Sequence, residues 1–431
     1  MGTSLGFHIV FAVLGVGMPL LMATAEGIGL WRRDAAWIAL ARRWSSAFGV
    51  LFAIGAVSGT VLSFELGLLW PGFMAFSGSI IGLPFSAEGF AFFLEAIFLG
   101  LYLYGWDRLR PVQHWLAGLP VALSGAASAV FVVMANAWMN SPSGFTLANG
   151  RLVSVDPVAA AFNPSTPTET IHMLVSAYVV TGFVVAAVYA AGMLRGRFDV
   201  HHRHGLLLGM AMAGIAILLA GITGDTSARF VYGAQPVKFA AMEGLYTTMR
   251  GAPIHLGGIP SNSEHRVLYA IEIPYGLSIL AAFDPNAEVR GLDSFPFDVR
   301  PNPIVVHLSF DTMVGLGTGL GLLALVFWAK VFRSRRLPRN RLLLWCLVAG
   351  GPAAVVTMEA GWFVTEFGRQ PWVVYGIIRT VSAATPAPGL AIVFIVFTAI
   401  YVALAVTLAR LLLRLATHNR ERAEPPQVPQ A

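Results

Sequence analysis

Nine apolar runs divide this chain, at roughly 7–30, 46–69, 87–106, 118–138, 172–194, 205–222, 304–329, 342–363 and 389–414. A bilayer core is crossed by a helix of about 20 apolar residues. The runs therefore predict an all-α integral membrane protein with about nine transmembrane helices. Composition agrees: of 431 residues 56% are hydrophobic and 12% charged, about half the charge of a soluble domain. Most runs are rich in Gly and Ala, which lets helices approach closely, and no internal repeat is visible. The first run is unbroken and lacks a basic leader, so it reads as a span and not as a signal peptide. The single cysteine, Cys346, excludes an intrachain disulfide framework or a thiolate cluster.

Basic residues orient the bundle, because cytoplasmic loops collect Lys and Arg. Most of the 28 fall after alternate runs, in the groups Arg32–Arg43, Arg108–Arg110, Arg195–Arg203 and Lys330–Arg341 and in the tail. The N-terminus is thus expected outside and the C-terminus in the cytoplasm. The net charge of +6 follows from this placement and implies no nucleic acid. The expected organisation is helices 1–6 over residues 1–222, a polar outer loop over 223–303, helices 7–9 over 304–416, and a polar, disordered tail over 417–431.

Ionisable groups within membrane spans are costly and usually have a partner or a task. His8 and Glu65 mark the first two runs, Glu88 opens the third with Glu95 deeper, Ser128 and Asn136 lie on the fourth, and His172 opens the fifth. Met313 lies in the seventh run, and Glu359 and Glu366 at the end of the eighth. Glu88 and Glu95 are about two turns apart and share a face, which suits a hydrogen-bonded pair or a proton relay equally. A His and a Met can ligate haem iron axially, although a membrane His is more often a packing residue and Met more often fills gaps. Lys238 and Glu243 read, on spacing alone, as a solvated loop pair. Gly361–Trp372, GWFVTEFGRQPW, is either an interfacial aromatic belt or the wall of a cofactor site.

The last stretch, with AEGFAFFLEAIFLGLYLYGWDRL (87–109), VMANAWMNSP (133–142), GDTSARF (224–230) and KFAAMEG (238–244), resembles subunit I of the cytochrome bd-type quinol oxidases through all nine runs. The resemblance implies three haems and electron flow from quinol, ubiquinol or menaquinol, to O2. It implies two haem b and one haem d, with haem b in place of haem d in some of the short-loop branch that this chain is similar to. By it, His172 and Met313 are the axial pair of the low-spin haem b, His8 serves haem d, and Glu366 serves the high-spin haem b. Glu88 then lies on the distal side of the oxygen-reducing haem, with Trp362 and Arg369 beside the haems, Arg369 facing a propionate. Glu95 and Ser128 belong to a cytoplasmic proton path, and Lys238 and Glu243 to the quinol site of the outer loop. The resemblance also implies a second membrane subunit, in some members a small accessory peptide, and a bacterial cytoplasmic (inner) membrane.

Three features depart from many members: the seven-residue spacing of Glu88 and Glu95, Asp311 where an Arg is frequent, and a short outer loop. Two rival classes are a proton-coupled transporter, in which buried acids carry ions, and a haem electron-transfer subunit without oxygen chemistry.

Overall fold

Each apolar run is a helix, and most helices outlast the run that announced them. The computed structural model of the protein describes residues 1–421, with side chains through Leu415. Among the described residues nine helices are long and apolar enough to cross a membrane. They are α1 (Gly2–Arg32), α2 (Ala35–Leu69), α3 (Pro71–Gly105), α4 (Pro111–Asn140), α6 (Thr166–Leu194), α7 (Val200–Ala234), α10 (Pro303–Ser334), α11 (Arg341–Gly368) and α13 (Leu390–Glu421). Four short helices sit in the connections: α5 (Pro157–Ala161), α8 (Pro236–Met242), α9 (Gly276–Ala282) and α12 (Thr380–Ala383). Helix starts follow local chemistry. Asp34, Asp199, Asn302 and Asn340 accept from the first free N–H groups of α2, α7, α10 and α11, the groups a helix leaves unpaired.

Three boundaries differ from the sequence reading. α3 starts at Pro71, so Glu88 lies midway along it and does not open it. The outer half holds Pro84 and several Gly and Ser, which read as a loop but are tolerated where neighbouring helices pack. α6 starts at Thr166, placing His172 inside the helix. α7 runs to Ala234, so residues 223–234, expected as loop, are helical and the loop begins at Gln235. Of the expected tail, 417–421 continue α13 and the remainder lies outside the described residues.

The helices form two four-helix groups. α1, α2, α3 and α4 pack in a ring, each on the next and α4 back on α1. In the second group α7 and α11 each pack on both α6 and α10, so α6 and α10 face each other across the middle. α6 also packs on α1 and α4, joining the groups, and α13 lies against α1 and α2. The shared core holds Leu21, Met22, Phe48, Phe183, Phe327 and Leu347. α6 and α7 pack tightly: a Cβ on Gly209 would stand 3.1 Å from the Ala186 amide nitrogen.

The outer end carries short antiparallel pairs. β1 (Thr146–Ala148) pairs with β2 (Arg151–Val153), and β9 (Trp372–Val374) with β10 (Ile378–Arg379). Between α8 and α10 three pairs nest within one another: β3 (Met249–Arg250) with β8 (Glu288–Val289), β4 (Ile254–Leu256) with β7 (Ile271–Ile273), and β5 (Ile259–Ser261) with β6 (Arg266–Leu268). This folded loop closes over a small core of Phe239, Leu245, Ala252, Leu277 and Val289.

Candidate functional site

The densest polar network lies where the outer ends of α4, α6 and α11 meet α8. Asn136 Nδ2 donates to Glu366 Oε1 at 2.7 Å, and Arg369 Nη2 donates to Glu366 Oε2 at 2.6 Å. Arg369 is 1% exposed, and its Nη1 reaches Asn140 Oδ1 at 3.4 Å. Asn140 Nδ2 in turn donates to Glu169 Oε1 at 3.0 Å, and Gln235 Nε2 donates to the Asn140 carbonyl at 2.7 Å. α11 ends at Gly368, shortly before Pro371, so Arg369 turns back from the helix end onto the carboxylate one turn earlier.

Lys238 of α8 stands beside this network. It is buried, not solvated as the loop reading expected. Its stem lies against Gly368, where a Cβ would stand 2.8 Å from Lys238 Cγ. Burial pushes its ammonium down to about 8, with Glu169 pulling upward and Arg369 pushing further down. Glu243, at the C-cap of α8, is also buried but faces other groups. Burial and the Asp311 carboxylate push it up to about 8. His255 Nδ1 donates to the Glu243 carbonyl at 2.9 Å, and His307 Nε2 stands 3.5 Å from Asp311. Asp311, the residue that departs from the resembled pattern, is thus the acidic neighbour of Glu243. Lys238 and Glu243 look into different surroundings.

The remaining expected residues fall in three places. His8 Nδ1 bonds Ser58 Oγ of α2 at 2.9 Å, and a Cβ on Gly59 would stand 3.1 Å from the His8 ring. Nearby on α1, a Cβ on Gly6 would stand 3.4 Å from Glu359 Oε2 and 3.9 Å from the Trp362 ring. His172 Nδ1 bonds Thr223 Oγ1 of α7 at 2.9 Å, and Gly224 faces the same ring. Met313 Sδ lies against Gly361, where a Cβ would stand 2.9 Å away. Between α3 and α4, Ser128 donates to Glu88 at 3.2 Å, while Glu95, 5% exposed, faces Gly125. Ser128 therefore partners Glu88, not Glu95.

Sequence reasoning missed Glu169, Asn140 and Gln235. Asn140 lies within VMANAWMNSP, so that block held the signal. Glu169 and Gln235 are single polar residues at helix ends, indistinguishable in sequence from caps.

The model of the family described as cytochrome bd terminal oxidase subunit I matches residues 1–420. A Bacillus subtilis protein named putative cytochrome bd menaquinol oxidase subunit I is 40% identical, covering 96% of this chain and 94% of its own. Escherichia coli cytochrome bd-II ubiquinol oxidase subunit 1 is 29% identical over 88% of this chain and 87% of its own. The solved bd oxidase of Geobacillus thermodenitrificans superposes with a TM-score of 0.92 at 41% identity, covering 97% of this chain and 96% of the matched one. Nine apolar helices, a buried Glu–Arg–Asn network at one end and this end-to-end agreement lead to one assignment: the chain belongs to the cytochrome bd terminal oxidase subunit I family, a family of haem-bearing multi-pass membrane oxidases.

Proposed function

We propose that this chain oxidises a quinol, ubiquinol or menaquinol, at the outer end of the bundle of a bacterial cytoplasmic membrane and reduces O2 to water within it. Protons released outside and protons taken from the cytoplasm then build a gradient without pumping. The observation that carries the reading is the buried Asn136–Glu366–Arg369–Asn140 network, which joins the segments VMANAWMNSP and GWFVTEFGRQPW, in a chain of this family.

The residues fit haem. Thr223 takes His172 Nδ1 and Ser58 takes His8 Nδ1, which leaves Nε2 of each ring for iron and fixes its orientation. Glycines at 59, 224 and 361 keep side chains away from His8, His172 and Met313. Glu359 Oε1 and Arg369 Nε are buried without a hydrogen-bond partner among the described residues, which fits polar groups set to meet a cofactor. His172 and Met313 would hold the low-spin haem b from α6 and α10, the two helices that face each other across their group. Glu366 would hold the high-spin haem b, and His8 haem d or a haem b in its place. When bound, the haems supply electron transfer and the iron at which O2 is reduced.

The chain's own residues do the rest. Asn136 and Arg369 hold Glu366 in place, and the spare Arg369 Nε would suit a haem propionate. Lys238 balances the two carboxylates Glu366 and Glu169. Glu243, beside Asp311 and close to neutral pH in its titration, takes a quinol hydroxyl proton in the outer loop. Glu88, held by Ser128, would deliver protons to the site of O2 reduction, and Glu95 would hand them on from the cytoplasmic side. Trp362 of α11 turns its ring toward Gly6 of α1. A second membrane subunit and a small accessory peptide complete the enzyme, and the outward side chains Phe90, Phe93 and Ile97 of α3 give apolar surface for helices or lipid.

The test is the purified protein itself. We expect a coloured preparation with haem bands after dithionite reduction and oxygen uptake driven by quinol. A colourless protein would favour the transporter class, and haem bands without oxygen uptake the electron-transfer subunit.

A further inference from the structure

Three titratable side chains lie buried together near the cytoplasmic end of the first helix group, and neither the haem nor the quinol reading uses them. Glu26 of α1, His114 of α4 and Tyr102 of α3 are 2%, 2% and 0% exposed. The Tyr102 hydroxyl donates to Glu26 Oε2 at 2.6 Å, and His114 Nδ1 stands 2.7 Å from Glu26 Oε1. The other ring nitrogen, Nε2, stands 2.8 Å from the Tyr102 backbone oxygen. A carbonyl only accepts, so Nε2 carries a proton. Between Nδ1 and Oε1 there is then one proton, resident either on the ring as imidazolium against carboxylate or on the acid as carboxyl against neutral imidazole. The trio stores a single proton whose two positions lie within one hydrogen bond. As a mere staple it would be a poor choice, because a buried ion pair is often no better than apolar residues of the same volume.

Its place in the fold gives it a direction. Glu88, Glu95 and Tyr102 follow one another on α3 at seven-residue steps, each about 10 Å along the axis and on one slowly drifting face. α4 answers that row with small residues. A Cβ on Gly118 would stand 2.8 Å from the Tyr102 ring and one on Gly125 3.1 Å from Glu95 Oε1, while Ser128 donates to Glu88. The two helices therefore close on the row and hold it between them, away from lipid. At the lower end His114 sits in the first turn of α4 under the Trp106 ring, with centroids 3.9 Å apart. Arg108 and Arg110 flank that turn.

We propose that Glu26, His114 and Tyr102 form the cytoplasmic loading station of the proton path that runs between α3 and α4. The Tyr102 hydroxyl turns from Glu26, releases its proton upward, through water, to Glu95 and then to Glu88, and takes up the proton stored between Glu26 and His114. Glu26 and His114 Nδ1, left without it, take the next proton from the cytoplasmic side. One proton enters as one leaves, so the trio returns to its starting charge. The proposal rests on the oxidase reading above.

The test uses the whole haem-loaded enzyme in liposomes, with Glu26→Gln and Tyr102→Phe variants. Haem content, quinol-driven oxygen uptake and the solvent deuterium isotope effect on uptake are measured on each. We expect unchanged haem content, uptake lowered at least about tenfold in Glu26→Gln, short of the roughly 100-fold or more expected on removing an acid–base group at the reacting atoms, and a larger isotope effect in both variants. Wild-type uptake and isotope effect in both variants would overturn the proposal. So would slow uptake with an unchanged isotope effect, the signature of a staple. Should Glu26→Gln fail to assemble, Tyr102→Phe decides alone, since it keeps the ring and loses only the hydroxyl. A wild-type enzyme that takes up no oxygen would instead refute the oxidase reading.

Discussion

Arg369 and Glu366 are joined across one turn at the end of α11 by a 2.6 Å bond from guanidinium to carboxylate. Arg369 is 1% exposed and the Glu366 side chain 23%, so the pair sits at the border of the core with the acid turned toward open space. Asn136 and Arg369 each hold one oxygen of that carboxylate, and its exposed face is the one left for ligation.

Replacing Glu366 by Ala should remove one high-spin haem and leave the low-spin spectrum in place. Pyridine haemochromogen extraction against protein concentration reads this directly. An unchanged haem count per chain would rule Glu366 out as a ligand.

Arg369→Leu leaves the carboxylates of Glu366 and Glu169 with Lys238 as their one nearby cation among the described residues. Breaking a buried pair by removing one partner costs about 3–5 kcal/mol. We expect a clear drop in the thermal midpoint of the detergent-solubilised protein. Arg369→Lys should recover only part of it, because an ammonium lacks the fork that reaches both Glu366 and Asn140.

Met313→Leu removes a thioether and keeps the volume. The low-spin haem should become high-spin, visible as a change in the reduced absorption bands. A low-spin spectrum that survives the change would exclude Met313.

Glu243 titrates near pH 8 because burial and the Asp311 charge favour its protonated form. As a base it works only when deprotonated, so quinol oxidation should rise as pH climbs through about 8 and fade below it. Glu243→Gln should flatten that rise and lower kcat/KM by about 100-fold, while O2 reduction from artificial donors stays near wild type. Parallel loss of both activities would place Glu243 elsewhere.

The helices were legible because lipid imposes one strong rule, and hydropathy reports it directly. Their ends were less so. Pro84 and its neighbouring Gly and Ser resemble a loop in sequence, yet packing carries α3 through them. Single residues were legible mainly through resemblance to a family, since a Glu in a helix does not declare whether it meets iron, water or an Asn. Lys238 shows the limit most clearly. In sequence it is a cation in a polar loop, and only the meeting of four distant segments buries it against Gly368 and Arg369. Glu169 and Gln235 stayed invisible for the same reason. Their roles come from neighbours more than 25 residues away.

α13 packs on α1 and α2, and its Tyr401 ring lies 4.8 Å from Phe7, the residue beside His8. Among the described residues eight other spans precede it, yet it packs on α1, more than 350 residues back. During synthesis α13 therefore reaches the flank of α1 that carries Phe7 only after the spans between them are made. The packing of α1 to α4 on one another cannot by itself form that contact.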